Sequence, residues 1–365
     1  MDENDKHRAG ALPSDPEAGA IPMGSTPPTP LDDHAPSLDT LVGPAFDRMG
    51  RRAAGDEMPV PLPWPSVADL VGGGLWPGVH FLVGGTGTGK SQWAMQAALH
   101  AARSQCPVLY IGLELGRDDL VARLASLAYE GRESWGRLYL GKAGAHPADR
   151  LANLAAVREG TARELRGLPL RLEMGGPYGW GYDLLRVRAE QMAEHYAGYV
   201  RKNGQAVRPF LVVLDFLQLV ASPAPTEDRP PRAEDLRIRV QQAAYAARGV
   251  ARDFDAAVLV VSSAARDKYA MLSLDPAAKG EGAEARKTLQ PPDFYVGCGK
   301  ESGEIEYSAD GCYVLVKEKA PAGEPSRVHF VCAKVRAGKA GSAPLTFDGT
   351  RFSEPPDSEW AGAGV

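Results

Sequence analysis

The run GGTGTGKS, Gly84–Ser91, fits the pattern G-x-x-x-x-G-K-[ST], with Gly84, Gly89, Lys90 and Ser91 at the fixed places. Its chemistry is anion binding. Glycines let successive backbone N–H groups turn inward around phosphate oxygens, and a helix starting at the loop adds positive potential. Gly84, Gly85, Thr86, Gly87, Thr88 and Gly89 are therefore expected to cradle the phosphates of ATP. Lys90 would reach the β- and γ-phosphates, and the Ser91 hydroxyl would ligate Mg²⁺. Phosphoryl transfer to water also needs a metal-side carboxylate and a group that orients the water. Asp215 ends the apolar run LVVLD, where a charge is costly unless it meets a cation or strong donors. It is expected beside Mg²⁺ through a bound water; the plainer alternative is a cap on the next turn. Glu114, in YIGLELG, would polarise the attacking water, or else serve as a carboxylate at the start of the following helix.

The elements that must position these groups alternate in type. Apolar runs at Val79–Gly84, Pro107–Glu114, Leu168–Met174, Pro209–Val220 and Ala256–Ser263 predict strands. Helical stretches are predicted at Ser91–Gln105, Arg117–Glu130, Tyr182–Tyr199 and about 233–254. Such alternation implies a mostly parallel central sheet flanked by helices, with ligands at the carboxyl ends of the strands. The runs GCYVLVKE, RVHFVCAKV and APLTFDGTRF predict antiparallel C-terminal strands with hairpin turns.

The composition sets the limits. The chain has 365 residues, 44% hydrophobic and 24% charged, with net charge −5, which suits a globular protein. Residues 1–58 carry 11 acidic and 5 basic side chains, and 12 of the 30 prolines fall before residue 66. These residues are expected to form a disordered, acidic, proline-rich leader with no sustained period. The body would span 59–355, with a flexible tail at 356–365. Within PVPLPWPS, Trp64 is expected to pack on the body. No run approaches the ~18 apolar residues of a membrane span. The four cysteines lie apart, with no CxxC pair, so a zinc site is not expected and a reducing cytoplasm is.

The order of motifs resembles the RecA-type P-loop NTPase core, and within it the ATPase domain of the DnaB-type replicative helicases. Five segments carry the likeness: GGTGTGKS, LYIGLELGRDDLVARLASL, LVVLDFLQLV, ESGEIEYSADGCYVLVKE and CAKVRAGKAGSAPLTFDGTRF. The resemblance implies a ring, a hexamer in the family, that hydrolyses ATP with Mg²⁺ and acts on single-stranded DNA. It implies that Glu114 activates water, Asp215 sits behind Mg²⁺, and Gln218 senses the γ-phosphate. Arg266 matches the Arg of the family's S-Q-x-x-R motif. Lys334 and Arg336 match the pair that reaches into the neighbouring subunit's nucleotide; read alone, they alternate on a strand and could be a solvated edge. Two loops would project into the ring centre: Ser222–Arg237 forms the first, and in the second Lys300, Glu301, Ser302 and Gly303 match a DNA-contacting stretch.

This sequence departs from the family pattern at several places. Ser263 and Tyr307 stand where the family has Gln, and Lys300 stands where it has Arg. An insertion is read at Leu272–Gln290, and the helical N-terminal collar has no counterpart in these residues. The competing reading is a regulatory or assembly ATPase of the RecA group, switching a protein partner through the acidic leader.

Overall fold

The computed structural model describes residues 36–175, 180–196, 209–221, 236–278, 287–299, 309–321 and 323–356. The chain divides into two units, Met1–Gly50 and Arg51–Val365. A helix, α1 (Leu38–Ala54), begins in the first unit and ends in the second. It corrects the expectation that 1–58 carries no sustained period. Leu38, Leu41, Val42, Phe46 and Met49 recur at helical spacing and are exposed. Asp39 in the first turn and Arg51 and Arg52 in the last suit the helix dipole. A window of 58 residues dilutes so short a signal. Residues 1–35 of the proposed leader and 357–365 of the proposed tail lie outside the described residues.

The second unit is built on one sheet. Its strands are β1 (Gly78–Gly84), β2 (Val108–Gly112), β3 (Leu170–Met174), β5 (Leu211–Asp215), β7 (Ala257–Ser263), β8 (Ser273–Leu274), β9 (Gly311–Glu318), β10 (Ser326–Val335), β11 (Gly341–Phe347) and β12 (Phe352–Ser353). The order is β12-β11-β10-β9-β1-β7-β5-β2-β3. Two short strands, β4 (Trp180–Gly181) and β6 (Val220–Ala221), pair separately. From β3 to β9 all neighbours are parallel, and from β9 to β12 they are antiparallel. The expected antiparallel C-terminal strands are present, and β9 joins them to the rest of the sheet, antiparallel beside β10 and parallel beside β1. The inserted segment adds β8, parallel to β9; residues 279–286 lie outside the described residues.

Period-two alternation divides the strand side chains between two cores. Leu82, Tyr110, Val213, Leu259 and Val261 face the helix after the phosphate loop, α3 (Lys90–Arg103). Val83, Ile111, Leu214 and Val260 face α7 (Tyr182–Tyr196) and α8 (Leu236–Asp253). Burial on both faces explains why these strands read as continuous apolar runs. The remaining helices are α2 (Pro65–Leu70), α4 (Arg117–Ala128), α5 (Trp135–Tyr139) and α6 (Arg150–Leu165). Among the described residues no helix is long and apolar enough to cross a membrane.

Aromatic packing ties the chain's entry to its last strand. Trp64 is 1% exposed, stacks on Trp93 of α3 at 4.7 Å between centroids, and donates Nε1–H to the Phe352 carbonyl at 3.3 Å. Gln96 on α3 accepts from the Phe352 N–H and donates to its carbonyl, both at 2.8 Å. Those bonds hold β12 beside the phosphate loop. Gln96→Ala removes both, and is expected to lower unfolding stability by about 1–2 kcal/mol in a denaturant melt. An unchanged midpoint would show that water replaces Gln96 without cost.

Candidate nucleotide site

The phosphate loop leaves the carboxyl end of β1 and opens α3. Gly89 caps that helix at φ 88°, and Gly87 has φ 74°, both in the left-handed region where a side chain is disfavoured. A Cβ on Gly89 would also come within 2.8 Å of Phe352 Cζ, and one on Gly84 within 2.7 Å of Thr88 Oγ1. The spacing of glycines is thus required by backbone conformation and by close approach. Thr88 Oγ1–H donates to the Gly85 carbonyl at 2.9 Å and braces the turn. Lys90 Nζ donates to the same carbonyl at 2.9 Å. Burial pushes the Lys90 pKa down, while Glu114 and then Asp215 oppose that shift.

Asp215 ends β5 as expected and is 1% exposed. Ser91 Oγ donates to its Oδ1 at 3.1 Å, and Tyr110 Oη donates to its Oδ2 at 2.6 Å. Burial raises the Asp215 pKa; the Tyr110 and Ser91 donors and Lys90 lower it, whereas Glu114 raises it. Ser91 and Asp215 thus form an oxygen donor pair at the mouth of the phosphate loop, the donor type that Mg²⁺ takes. The strand expectation for Pro209–Val220 is too long. β5 stops at Asp215, and Leu217–Leu219 form a 3₁₀ turn whose Leu217 packs into the second core.

Glu114 lies two residues past the end of β2, in a bend before α4, rather than at the strand end. It is exposed and acts electrostatically on Lys90 and Asp215. Gln218 is 8% exposed and donates Nε2–H to Ser262 Oγ at the end of β7, 2.8 Å away. Arg266 opens a 3₁₀ turn, Arg266–Leu272, just after β7. Lys300, Glu301, Ser302, Gly303 and Tyr307 lie outside the described residues, as does 222–235 of the first central loop.

Lys334 and Arg336 are at the other end of the sheet. Lys334 pairs with Cys312, and Arg336 follows the last residue of β10. Asp310 receives the Arg336 side chain, Nε to Oδ1 at 3.1 Å, and its carbonyl accepts the Arg336 N–H at 2.9 Å. The other carboxylate oxygen accepts from the Val79 N–H at 2.8 Å, at the amino end of β1. The phosphate loop lies at the carboxyl end of that seven-residue strand, about 20 Å away.

Several residues at the site are not legible in the sequence. Arg123 of α4 lies over the Trp135 ring, 3.8 Å from its centroid, and donates to Gln92 Oε1 on α3 at 3.2 Å. Lys317 Nζ on β9 donates to the Gly87 carbonyl at 3.3 Å and sits 5.9 Å from the Phe347 ring. Phe347 stacks on Phe352, making an aromatic wall against Gly89. Tyr110 is readable only as a buried strand residue. Its partner lies on another strand, and that register is not local information. A cavity of about 930 Å³ opens between Leu113, Leu115, Asp119, Met174 and Trp180, and no phosphate-loop residue lines it.

Comparison with known proteins agrees with this architecture. A family model described as an AAA domain matches residues 60–268. No curated protein matches the chain. One solved ATPase domain superposes with a TM-score of 0.64 at 17% identity, covering 88% of this chain and 99% of that one. A DnaB-like replicative helicase, solved in a study of its interactions with primase, gives 0.63 at 17% identity, covering 88% of this chain and 67% of that one. At that identity the likeness is one of fold: a RecA-like α/β core.

Proposed function

The chain belongs to the AAA domain family, and from that premise we propose that it is an ATP-hydrolysing helicase or translocase that works as a ring, a hexamer, on single-stranded DNA in the cytoplasm. The observation that carries this reading is the separation of two half-sites. Lys90, Ser91 and Asp215 gather at the carboxyl ends of the strands, with Glu114 just beyond. Arg336 is tied to Asp310 at the opposite end of β1. It cannot reach its own phosphate loop. We read it as serving the loop of a neighbouring copy, in a head-to-tail contact that closes into a ring or runs on as a filament.

The tasks proposed for the residues are these. The loop N–H groups and Lys90 hold the phosphates and offset their charge. Glu114, open to solvent and acting electrostatically on Lys90, orients the attacking water and takes its proton. Gln218, joined to Ser262, links the Asp215 end of β5 to β7 and the Arg266 turn. Ser91 and Asp215 would hold Mg²⁺, which when bound would offset the charge that develops on the phosphate. The neighbour's Lys334 and Arg336 complete the site, so hydrolysis depends on assembly.

Turnover by assembled protein at low salt is expected to rise severalfold when single-stranded DNA is added, measured as phosphate release. Equal turnover with and without DNA, together with ATP-dependent capture of a protein partner through residues 1–58, would select the regulatory reading instead.

A further inference from the structure

The hydroxyl of Tyr110 is spent on the carboxylate of Asp215, and nothing in the phosphate-loop chemistry described so far requires it. Tyr110 lies on β2 opposite Val213 of β5, and two residues on Gly112 lies opposite Asp215. All four share the face turned toward α3. Gly112 has no side chain to offer Asp215, and a Cβ there would come within 2.8 Å of Leu120 Cδ1. The place beside the carboxylate is therefore filled from two residues back, by a ring long enough to reach it. That ring is 0% exposed. Its Oη is 2.6 Å from Asp215 Oδ2 and 3.5 Å from the Ser91 carbonyl, so the hydroxyl donates chiefly to the carboxylate.

The bond has a directional consequence. Each carboxylate oxygen accepts about two hydrogen bonds. Ser91 occupies one acceptor position on Oδ1 and Tyr110 one on Oδ2. The carboxylate plane is thereby fixed from two sides, and each oxygen keeps one acceptor position for a metal-bound water. Without Tyr110 the carboxylate is held from the Ser91 side alone.

We propose that Tyr110 is a positioning residue for the Mg²⁺ site, fixing the Asp215 carboxylate so that both of its oxygens stay directed at the metal's water shell. The inference rests on the reading of Asp215 as the metal-side carboxylate. Tyr110→Phe removes one oxygen and keeps the ring. The test titrates Mg²⁺ into full-length protein with a fluorescent, non-hydrolysable ATP analogue and reads equilibrium binding. The midpoint in Mg²⁺ is expected to rise about tenfold, the loss of one charge-assisted bond, while affinity measured in EDTA stays unchanged. Tyr110→Ile removes the hydroxyl in a second way and is expected to shift the midpoint in the same direction.

A midpoint within twofold of the wild type in Tyr110→Phe, even with a lowered melting temperature, overturns the inference and leaves a purely structural tie. Asp215→Asn separates the two levels. If it leaves the midpoint in place, the metal-side reading of Asp215 fails. If it displaces the midpoint and Tyr110→Phe does not, the positioning role alone fails.

Discussion

Arg336→Ala is expected to lower ATP turnover of the assembled protein by about 10³-fold or more, the scale of an arginine supplied across an interface. Nucleotide binding to each subunit should be little changed, because the side chain is at the far end of the sheet from its own phosphate loop. Its guanidinium is held by Asp310 through Nε at 3.1 Å, and it is still 63% exposed. An arginine held side-on in this way keeps both terminal nitrogens for a second anion. Mixing separates action across the interface from action within the subunit. Arg336→Ala subunits keep Glu114, and Glu114→Gln subunits keep Arg336. In a randomly mixed head-to-tail ring about a quarter of interfaces combine an intact site with an intact arginine. Turnover in an equal mixture of the two inactive variants is therefore expected to recover toward that fraction. If Arg336 acted within its own subunit, every site would lack one group and nothing would recover. A strict monomer whose turnover survives Arg336→Ala would remove the ring from the reading altogether.

The parts of this machine that are legible in sequence are those whose physics is local. GGTGTGKS carries its own geometry, since glycine is required where φ is positive and where Phe352 and Thr88 approach closely. Asp215 is legible because a carboxylate ending an apolar strand needs a reason. The continuation past it misleads, because Phe216, Leu217 and Val220 are apolar whether the chain extends or turns, and periodicity cannot separate the two. β9 carries a signal of both neighbours: its place before hairpin-like runs matches its antiparallel pairing with β10, and GCYVLVKE, apolar on both faces, suits its parallel pairing with β1. The tie between Tyr110 and Asp215 cannot be read, because it depends on the register of β2 against β5. Arg336 and Asp310 are each visible in the sequence, but their pairing at the amino end of β1 is a product of the fold. The helices α5 and α6 lie in a stretch rich in Gly, Arg and Ala whose apolar pattern is weak, and α6 buries only Val157 and Gly160.

Glu114→Gln is expected to cut turnover by about 10²–10⁴-fold, the contribution of a positioned general base, while leaving ATP binding intact. Two readings of this residue compete, and the structure bears on both. As a carboxylate stabilising the start of α4, Glu114 would be worth about 0.3–1 kcal/mol of stability and nothing to catalysis. That helix already carries Asp118 and Asp119 in its first turn, and Gly116 is its cap, so Glu114 falls outside the helix. Its bend instead brings it close enough to oppose the shift that burial imposes on Lys90. A solvent-exposed carboxylate that acts electrostatically on the phosphate lysine suits the proposed role of a base for the attacking water. Glutamine keeps the size and one acceptor oxygen but cannot take a proton. Binding of the fluorescent ATP analogue and single-turnover phosphate release, measured on the same sample, separate the alternatives. Unchanged binding with phosphate release slowed a hundredfold or more is the result of a lost base. Release within about fivefold of the wild type, with a small drop in melting temperature, would return Glu114 to the helix and leave the attacking water to another group.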